Sequence, residues 1–338
     1  MVALNPIALA SSALASAALA LALTPMVIRR HYALGIAGRD VHKPSAPLVP
    51  EMGGLSIVAS TTVGSVVVAL MVPEVRVHAL ALLAAFLLAA AIGAYDDLRG
   101  LRPKVKTALT VVCCTPLILA SLVPPHAVVI GRPTLPLVGP LRLTVIYWLL
   151  LPLAVAVPAN AVNMMDAFNG VMPATCLLAC LSLFASGLVS GRWVAVYLTP
   201  PLMGSLAAYY LYNRYPARVF SGDVGSLAVG AALGAVAVLA GLEVVGIVAL
   251  MPHIANAFHS LATVKRLFER RELNERPVLV RGGVLEANPS PSAPLTLANL
   301  ILSEGPLTER ELVRCFVALS ALCSALAVVT AALMEVRL

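Results

Sequence analysis

The sequence predicts an all-α polytopic membrane protein with about ten transmembrane helices, and three observations carry that reading. Hydrophobic residues make up 60% of the 338 positions and charged residues 12%, about half of the roughly 25% charge of soluble domains. Mean hydropathy is +0.94. The apolar residues fall in runs close to the roughly 18 residues that a helix needs to cross a bilayer, with polar residues gathered in the gaps between.

The predicted spans lie near residues 6–28, 53–72, 78–95, 107–123, 143–159, 171–190, 194–212, 224–242, 244–262 and 313–334. No basic segment precedes the first run, so it reads as a span rather than a cleaved signal peptide. The chain 1–338 reads as a single integral-membrane domain, with residues 263–312 forming a loop between the ninth and tenth spans. Placing the odd-numbered gaps in the cytoplasm puts 18 of the 23 Lys and Arg residues there. Only Arg76, Arg132, Arg142, Arg192 and Arg337 are left outside. Positive charge favours the cytoplasmic side, so both termini are expected to face outward. The net charge of +7 follows from this layout, and no basic patch interleaved with aromatics supports a nucleic-acid partner. Cys113, Cys114, Cys176, Cys180, Cys315 and Cys323 sit in apolar runs without a completing His or Cys set, so they read as packing residues.

The chain's five aspartates, Asp40, Asp96, Asp97, Asp166 and Asp223, all lie in or beside the odd-numbered gaps. Carboxylates near hydrocarbon are costly, so a functional site is the default expectation, here one holding a divalent cation and a phosphate. Counting these cytoplasmic gaps alone, in the first, Asp40-Val41-His42-Lys43-Pro44 leads through Pro47 and Pro50-Glu51 to Gly53-Gly54. Its prolines and glycines exclude a helix and predict a fixed, extended loop. In the second, Asp96 and Asp97 would repel each other unless they serve a cation or act as bases, and Arg99, Arg102, Lys104 and Lys106 follow. In the third, Asn160, Asn163 and Asp166 recur every three residues and on a helix would stack along one side. Their oxygens suit Mg²⁺, although amides in membrane helices also serve helix association.

The fourth gap sets Asp223 between Gly222 and Gly225 at the first turn of the next span, where helix capping and metal binding are compatible. In the long last gap, Pro277–Val280 and Val284–Glu286 flank Arg281-Gly282-Gly283, which predicts a β-hairpin on the cytoplasmic side. Leu295–Ser303 predicts a short interfacial helix, and Thr308 with Glu311 a capping box for the final span. The bases Arg266, Arg270, Arg271, Arg276 and Arg281 would either cover an anionic substrate or obey the positive-inside rule. His253, Asn256 and His259 in the ninth span are open to packing or catalytic roles.

Taken together, these gaps resemble the polyprenyl-phosphate N-acetylhexosamine-1-phosphate transferases over nearly the whole chain. Asp96-Asp97 with Lys106 looks like that family's double-aspartate motif. The run from Asn160 through Asn163, Asp166 and Asn169 to Gly170 looks like its Asn-rich motif, and Phe220 to Ser226 like its metal-binding motif. In the last gap, the run of histidines of the bacterial enzyme that uses UDP-MurNAc-pentapeptide is missing. Asn274-Glu275-Arg276-Pro277, the hairpin, Thr296 to Leu300 and Gly305 to Arg310 instead look like the dolichyl-phosphate N-acetylglucosamine-1-phosphotransferases of eukaryotes and archaea. Two features depart: the eukaryotic Arg-His-Arg signature is reduced to Arg276, and Asp166 matches the bacterial Asn-rich motif. Such a mixture suits an archaeal enzyme.

The resemblance implies transfer of N-acetylglucosamine 1-phosphate from UDP-GlcNAc to a polyprenyl or dolichyl phosphate, with release of UMP. This would be the first step of lipid-linked oligosaccharide synthesis for N-glycosylation, at the cytoplasmic face of the cell membrane. It further implies Mg²⁺ as cofactor, replaceable by Mn²⁺, with membrane lipids around the protein and a homodimer as a compatible assembly. Asp96, Asp97 and Asp223 are the expected catalytic residues, and Asp223 and Asn163 the expected metal ligands. Lys43, Glu51, Lys106, Asn160, Asp166, Asn169, Gly170, His253 and Arg276 are expected to contact substrates. The acceptor phosphate, with a second pKa of about 6, needs little activation. Direct in-line attack is therefore favoured, with Asp96 or Asp97 orienting or deprotonating the acceptor, and an aspartyl-phosphate intermediate stays open. The alternatives are the same chemistry with another UDP-N-acetylhexosamine for a surface polysaccharide, and a secondary transporter. A transporter would break helices at matching positions of two repeats, and the sequence has no internal repeat.

Overall fold

In the computed structural model, which describes residues 4–124, 128–141, 144–264 and 275–336, the apolar runs are helical. The helices in chain order are α1 (Pro6–Ala33), α2 (Gly54–Met71), α3 (Arg76–Arg99), α4 (Pro103–Val112), α5 (Thr115–Leu122) and α6 (Thr144–Met165). They continue with α7 (Val171–Val189), α8 (Trp193–Asn213), α9 (Gly222–Leu239), α10 (Glu243–Ala249), α11 (Met251–Val264), α12 (Leu297–Leu302) and α13 (Glu309–Met334). Three antiparallel strand pairs accompany them: β1 (Ala37–Arg39) with β2 (Leu48–Pro50), β3 (Thr134–Leu135) with β4 (Gly139–Pro140), and β5 (Val278–Arg281) with β6 (Val284–Ala287). Among the described residues nine stretches are long and apolar enough to span a membrane, and α10 with α11, bent by 69°, would be a tenth if the pair is one broken span. The molecule is thus the polytopic all-α protein that its composition predicts.

The structure moves several expected boundaries. Helix α3 continues through Asp96 and Asp97 to Arg99, and α4 opens at Pro103, so Lys104 and Lys106 are helical rather than part of a loop. Proline at the first position of a helix costs nothing there, because that N–H has no intrahelical partner. The fourth span breaks at Cys113-Cys114 ahead of Pro116, and the ninth bends ahead of Pro252. Each proline removes an N–H that a continuous helix would need. The first gap is a strand pair in the register Ala37↔Pro50, Gly38↔Val49 and Arg39↔Leu48, not an unpaired loop. Pro50 is tolerated because it ends an edge strand. Asn160 and Asn163 lie on α6, and Asp166 stands directly after its end with its N–H still bonded to the Val162 carbonyl at 3.1 Å, so the spacing of three holds through the last turn. The β5–β6 hairpin forms with Gly282-Gly283 as its two-residue turn, and Arg281 pairs with Val284 instead of joining the turn. Of the bases expected on this loop, Lys265, Arg266, Arg270 and Arg271 lie outside the described residues.

Helix α9 is the axis of the bundle. It packs against α3, α6, α2, α7 and α8, and is buried from Val224 to Leu239. Its side chains are small because its neighbours' backbones touch it, a device of membrane helices that lack a hydrophobic drive to associate. A Cβ on Gly230 would lie 2.4 Å from the Pro158 carbonyl oxygen, and one on Gly234 would lie 2.2 Å from that of Ala154. These contacts lock α6 to α9. A second apolar cluster joins Met165, Phe168 and Val171, around the α6–α7 turn, to Val278 and Leu285 of the hairpin, Ala298 and Leu302 of α12, and Leu312 and Phe316 of α13. The loop before the last span therefore docks on the Asn-rich turn.

Gly230→Ala separates two opposing effects. Relief of glycine's helix penalty would stabilise by about 1 kcal/mol, whereas forcing a methyl against a backbone carbonyl costs about 1–3 kcal/mol. The contact should win, and the melting temperature of the purified protein in detergent should fall. A rise would show that α6 and α9 are not in contact there.

Candidate active site

The site starts from a glycine. A Cβ on Gly93 would lie 2.2 Å from the Asp223 carbonyl oxygen, so the end of α3 can close onto the start of α9. One turn later α3 presents Asp96 and Asp97. Asp97 accepts from the backbone N–H of Asp223 at 2.8 Å through Oδ1 and from that of Val224 at 3.0 Å through Oδ2. The first N–H groups of a helix have no intrahelical acceptor, and the helix dipole favours an anion beside them. Asp97 thus caps α9 from a neighbouring helix. Gly222 fits this corner for two reasons: its φ is 69°, and a Cβ would lie 2.7 Å from Asp97 Oδ2.

Asp96 faces the other way. Its Oδ1 accepts from Leu101 N at 2.5 Å and its Oδ2 from Lys106 Nζ at 2.8 Å. The same ammonium donates to Asp223 Oδ2, again at 2.8 Å. Asp223 Oδ1 accepts from Asn163 Nδ2 at 2.8 Å, and that amide also donates to Ser226 Oγ at 2.9 Å. Asn160 acts one layer behind, donating to Thr110 Oγ1 and the Ala156 carbonyl, both at 2.8 Å. Thr110 is one turn beyond Lys106 on α4, so this bond fixes the rotation that aims Lys106. The structure therefore brings Asp96, Asp97, Lys106, Asn163 and Asp223 together, with Asn160 supporting them.

Three carboxylates against one ammonium leave two formal negative charges. The Asp96 side chain is 5% exposed and that of Asp223 24%, so the cluster opens on the Asp223 side. Hard oxygen donors carrying a net double negative charge have the chemistry to hold a divalent ion such as Mg²⁺. Asp223 is the accessible ligand. Asn163 turns its amide nitrogen, not its oxygen, to Asp223, so ligating a metal would require the amide to turn over.

Other expected site residues lie elsewhere. Lys43 pairs with Asp40 and, at 3.3 Å, with Glu309, with its Nζ 4.6 Å from the Tyr215 ring centre. Asn169 Nδ2 donates to Glu309 Oε1 at 2.5 Å and to Asp40 Oδ2 at 3.1 Å. Gly170 donates its N–H to Asn213 Oδ1 at 3.1 Å, and Asp166 is half-buried in the turn before it. Glu51 lays its carboxylate against Gly38 of the β1–β2 hairpin. His253 is 1% exposed, with Nε2 2.9 Å from Thr175 Oγ1 and no partner for Nδ1 among the described residues. Arg276 is exposed, and its carbonyl accepts from Asn288 Nδ2 at 2.8 Å.

One ligand atom each of Asp40, His42 and Glu309 lies within 4.8 Å of the others, a grouping that could hold a metal. Its two carboxylates already hold Lys43 and Asn169. Sequence reasoning placed Ser226 in the metal-binding motif and Glu309 in the Gly305–Arg310 run but gave neither a role of its own. Glu309 sits in the first turn of a capped helix, where an acid is ordinary, and only its 4% exposure sets it apart.

The model of glycosyl transferase family 4 matches residues 79–241, which include Asp96, Asp97, Lys106, Asn160, Asn163, Asp166, Asn169, Gly170 and Asp223. A protein of Methanocaldococcus jannaschii provisionally named a glycosyltransferase is 30% identical over 281 residues, 82% of this chain and 81% of its own. One of Saccharolobus solfataricus, provisionally named a UDP-N-acetylglucosamine–dolichyl-phosphate N-acetylglucosaminephosphotransferase, is 28% identical over 245 residues, 71% of this chain and 74% of its own. A phospho-N-acetylmuramoyl-pentapeptide-transferase of Methylacidiphilum infernorum is 29% identical over 248 residues, 63% of this chain and 67% of its own. The chain belongs to glycosyl transferase family 4.

Lys106→Met tests the charge balance directly. Removing one partner of a buried ion pair costs about 3–5 kcal/mol, so the variant should melt well below the wild type in a chelator. Mg²⁺ should then raise its melting temperature more than that of the wild type, because the ion replaces the lost positive charge. Equal Mg²⁺ shifts in the two proteins would count against a shared site.

Proposed function

We propose that this member of glycosyl transferase family 4 is a phosphoglycosyl transferase that moves N-acetylglucosamine 1-phosphate from UDP-N-acetylglucosamine to a polyprenyl phosphate of the dolichyl class. The observation that carries this is Lys106 held between Asp96 and Asp223, with Asn163 and the start of α9 beside them. Such a cluster at the end of a membrane bundle suits the meeting of a lipid-anchored phosphate with a water-soluble one. The excess of basic residues supports a cytoplasmic location for this end. The names of the archaeal and bacterial relatives, which both describe transfer of a phosphosugar, support the reaction class.

In this reading an oxygen of the acceptor phosphate attacks the β-phosphorus of the nucleotide sugar. A new P–O bond forms to that phosphorus, the bond to the bridging oxygen breaks, and UMP leaves with that oxygen. No proton need move, because the acceptor is largely dianionic at neutral pH. Phosphoryl transfer is mostly positioning and charge neutralisation. Lys106 supplies a compact positive charge to phosphate oxygens, and Asp96 holds and aims it. Asp97 acts through α9, since both of its oxygens hold that helix's N–H groups. Asp223, with Asn163 after its amide turns, would hold Mg²⁺, whose chemistry when bound is to neutralise pyrophosphate charge. Arg276 stands on the segment entering β5, where a guanidinium can grip phosphate bidentately.

The test is UMP release by purified protein with Mg²⁺, dolichyl phosphate and a panel of UDP-sugars. UDP-GlcNAc should give turnover, and Asp223→Asn should lower it by at least about a hundredfold, the usual cost of losing a group that stabilises transition-state charge. Release with a different UDP-N-acetylhexosamine alone would redirect the sugar assignment, and release with none would refute the reaction. Arg276→Lys preserves charge and topology but not the fork. A loss of kcat/KM with UDP-GlcNAc supports phosphate gripping, whereas wild-type kinetics leave Arg276 only a part in membrane orientation.

A further inference from the structure

Outside the catalytic cluster, a buried polar group centres on Asn169. Its side chain is 4% exposed and fully engaged. The two hydrogens of Nδ2 go to Glu309 Oε1 at 2.5 Å and Asp40 Oδ2 at 3.1 Å, and Oδ1 accepts from Ala217 N at 2.7 Å. Its backbone N–H adds a second bond to Glu309 Oε1 at 2.8 Å. Glu309 is itself 4% exposed, and its other oxygen holds Lys43 at 3.3 Å. An amide has two donor hydrogens, so Glu309 and Asp40 together decide which way Asn169 faces. Apolar contacts reinforce the link, because Phe168 packs on Phe316 of α13 with ring centres 5.9 Å apart.

These bonds join segments that serve the catalytic cluster from two sides. One is the Asp166–Gly170 turn, which continues α6 beyond Asn163. The other is the 215–221 loop, which leads into Asp223 and is held at Ala217 by Asn169 and at Tyr215 by the cations of Lys43 and Arg310, 4.6 and 4.7 Å from its ring. We infer that Glu309 is a positioning residue for the transfer reaction: it fixes Asn169, and through Asn169 it fixes the approach of the Asn-rich turn to the loop that carries Asp223. It touches none of Asp96, Asp97, Lys106 or Asp223 through a hydrogen bond and is not itself catalytic. The kinetic part of this inference rests on the phosphosugar transfer proposed above.

The experiment is a donor–acceptor swap in the full-length protein. Asn169→Asp sets a third carboxylate against Asp40 and Glu309. Glu309→Gln keeps the shape but turns an amide toward Lys43. The double variant Asn169→Asp/Glu309→Gln exchanges donor and acceptor across the side-chain bond with the net charge unchanged, but leaves the new carboxylate beside Asp40 and an amide facing the backbone N–H of residue 169. All four proteins are assayed for UMP release at a temperature where melting curves show each folded. Each single change should lower kcat/KM by about tenfold to a hundredfold, the loss of one charge-assisted hydrogen bond, and the double variant should recover part of that loss, leaving it less impaired than the product of the single losses. A clasp that only stabilises the fold would move melting temperatures and leave kcat/KM unchanged, overturning the inference. So would single losses that multiply in the double variant. If the wild type releases no UMP with any UDP-sugar, the transfer reading fails, but the clasp is still read in melting temperature. Recovery in the double variant then supports the Glu309–Asn169 link, and additive losses overturn it.

Discussion

Everything at the polar end of this protein follows from bringing Asp96, Asp97 and Asp223 side by side at the edge of a hydrocarbon layer. Placed there alone, such charges would repel each other and drive their helices apart. Two devices prevent it. Lys106 lies between Asp96 and Asp223, 2.8 Å from each. Asp97 is spent on the first N–H groups of α9, where the helix dipole favours a negative charge. The net double negative charge that remains is what a divalent cation would neutralise. The cluster is therefore costly to hold, and its excess charge is of the sign that a cation would relieve.

Small residues make this geometry reachable. Helices α3 and α9 meet because Gly93 leaves room for the Asp223 carbonyl, and α6 lies against α9 because Gly230 and Gly234 leave room for backbone. Each carries one wall of the site: Asp96 and Asp97 on α3, Asn163 on α6 and Asp223 on α9. Helix α4 contributes Lys106 and is held in rotation by the Asn160–Thr110 bond. The loop before the last span then closes on the Asn-rich turn through Phe168, Leu285 and Phe316, with Glu309 and Asn169 as the polar counterpart. Chain segments far apart in sequence thus converge on one end of the bundle.

Much of this was legible in the sequence, for physical reasons that can be named. Apolar runs are long and uncharged, so the helices were visible, and the glycine pair of the β5–β6 hairpin marked its turn. Aspartates are so few that their clustering pointed to the site. Other features are properties of contact and could not be read along the chain. Asp97 looks like half of a pair with Asp96, yet the two face different elements, Asp97 the backbone of α9 and Asp96 a lysine. The β1–β2 pairing was hidden by prolines that an edge strand tolerates, and the 69° bend before Pro252 by an apolar run that reads as continuous. Glu309 carried no signal of its own, because an acid in the first turn of a capped helix is ordinary until its burial is known.

Two acidic groups compete for the role of metal site. One is the Asp96, Asp97 and Asp223 cluster; the other is Asp40, His42 and Glu309, whose ligand atoms lie within 4.8 Å of one another but already hold Lys43 and Asn169. The most direct measurement is anomalous diffraction at the manganese edge from crystals of the protein grown with Mn²⁺. A single peak at ligand distance from the Asp223 carboxylate is the predicted result. A peak at Asp40 and Glu309, with none at Asp223, would contradict the account of a cation-ready cluster built on Lys106 and the start of α9.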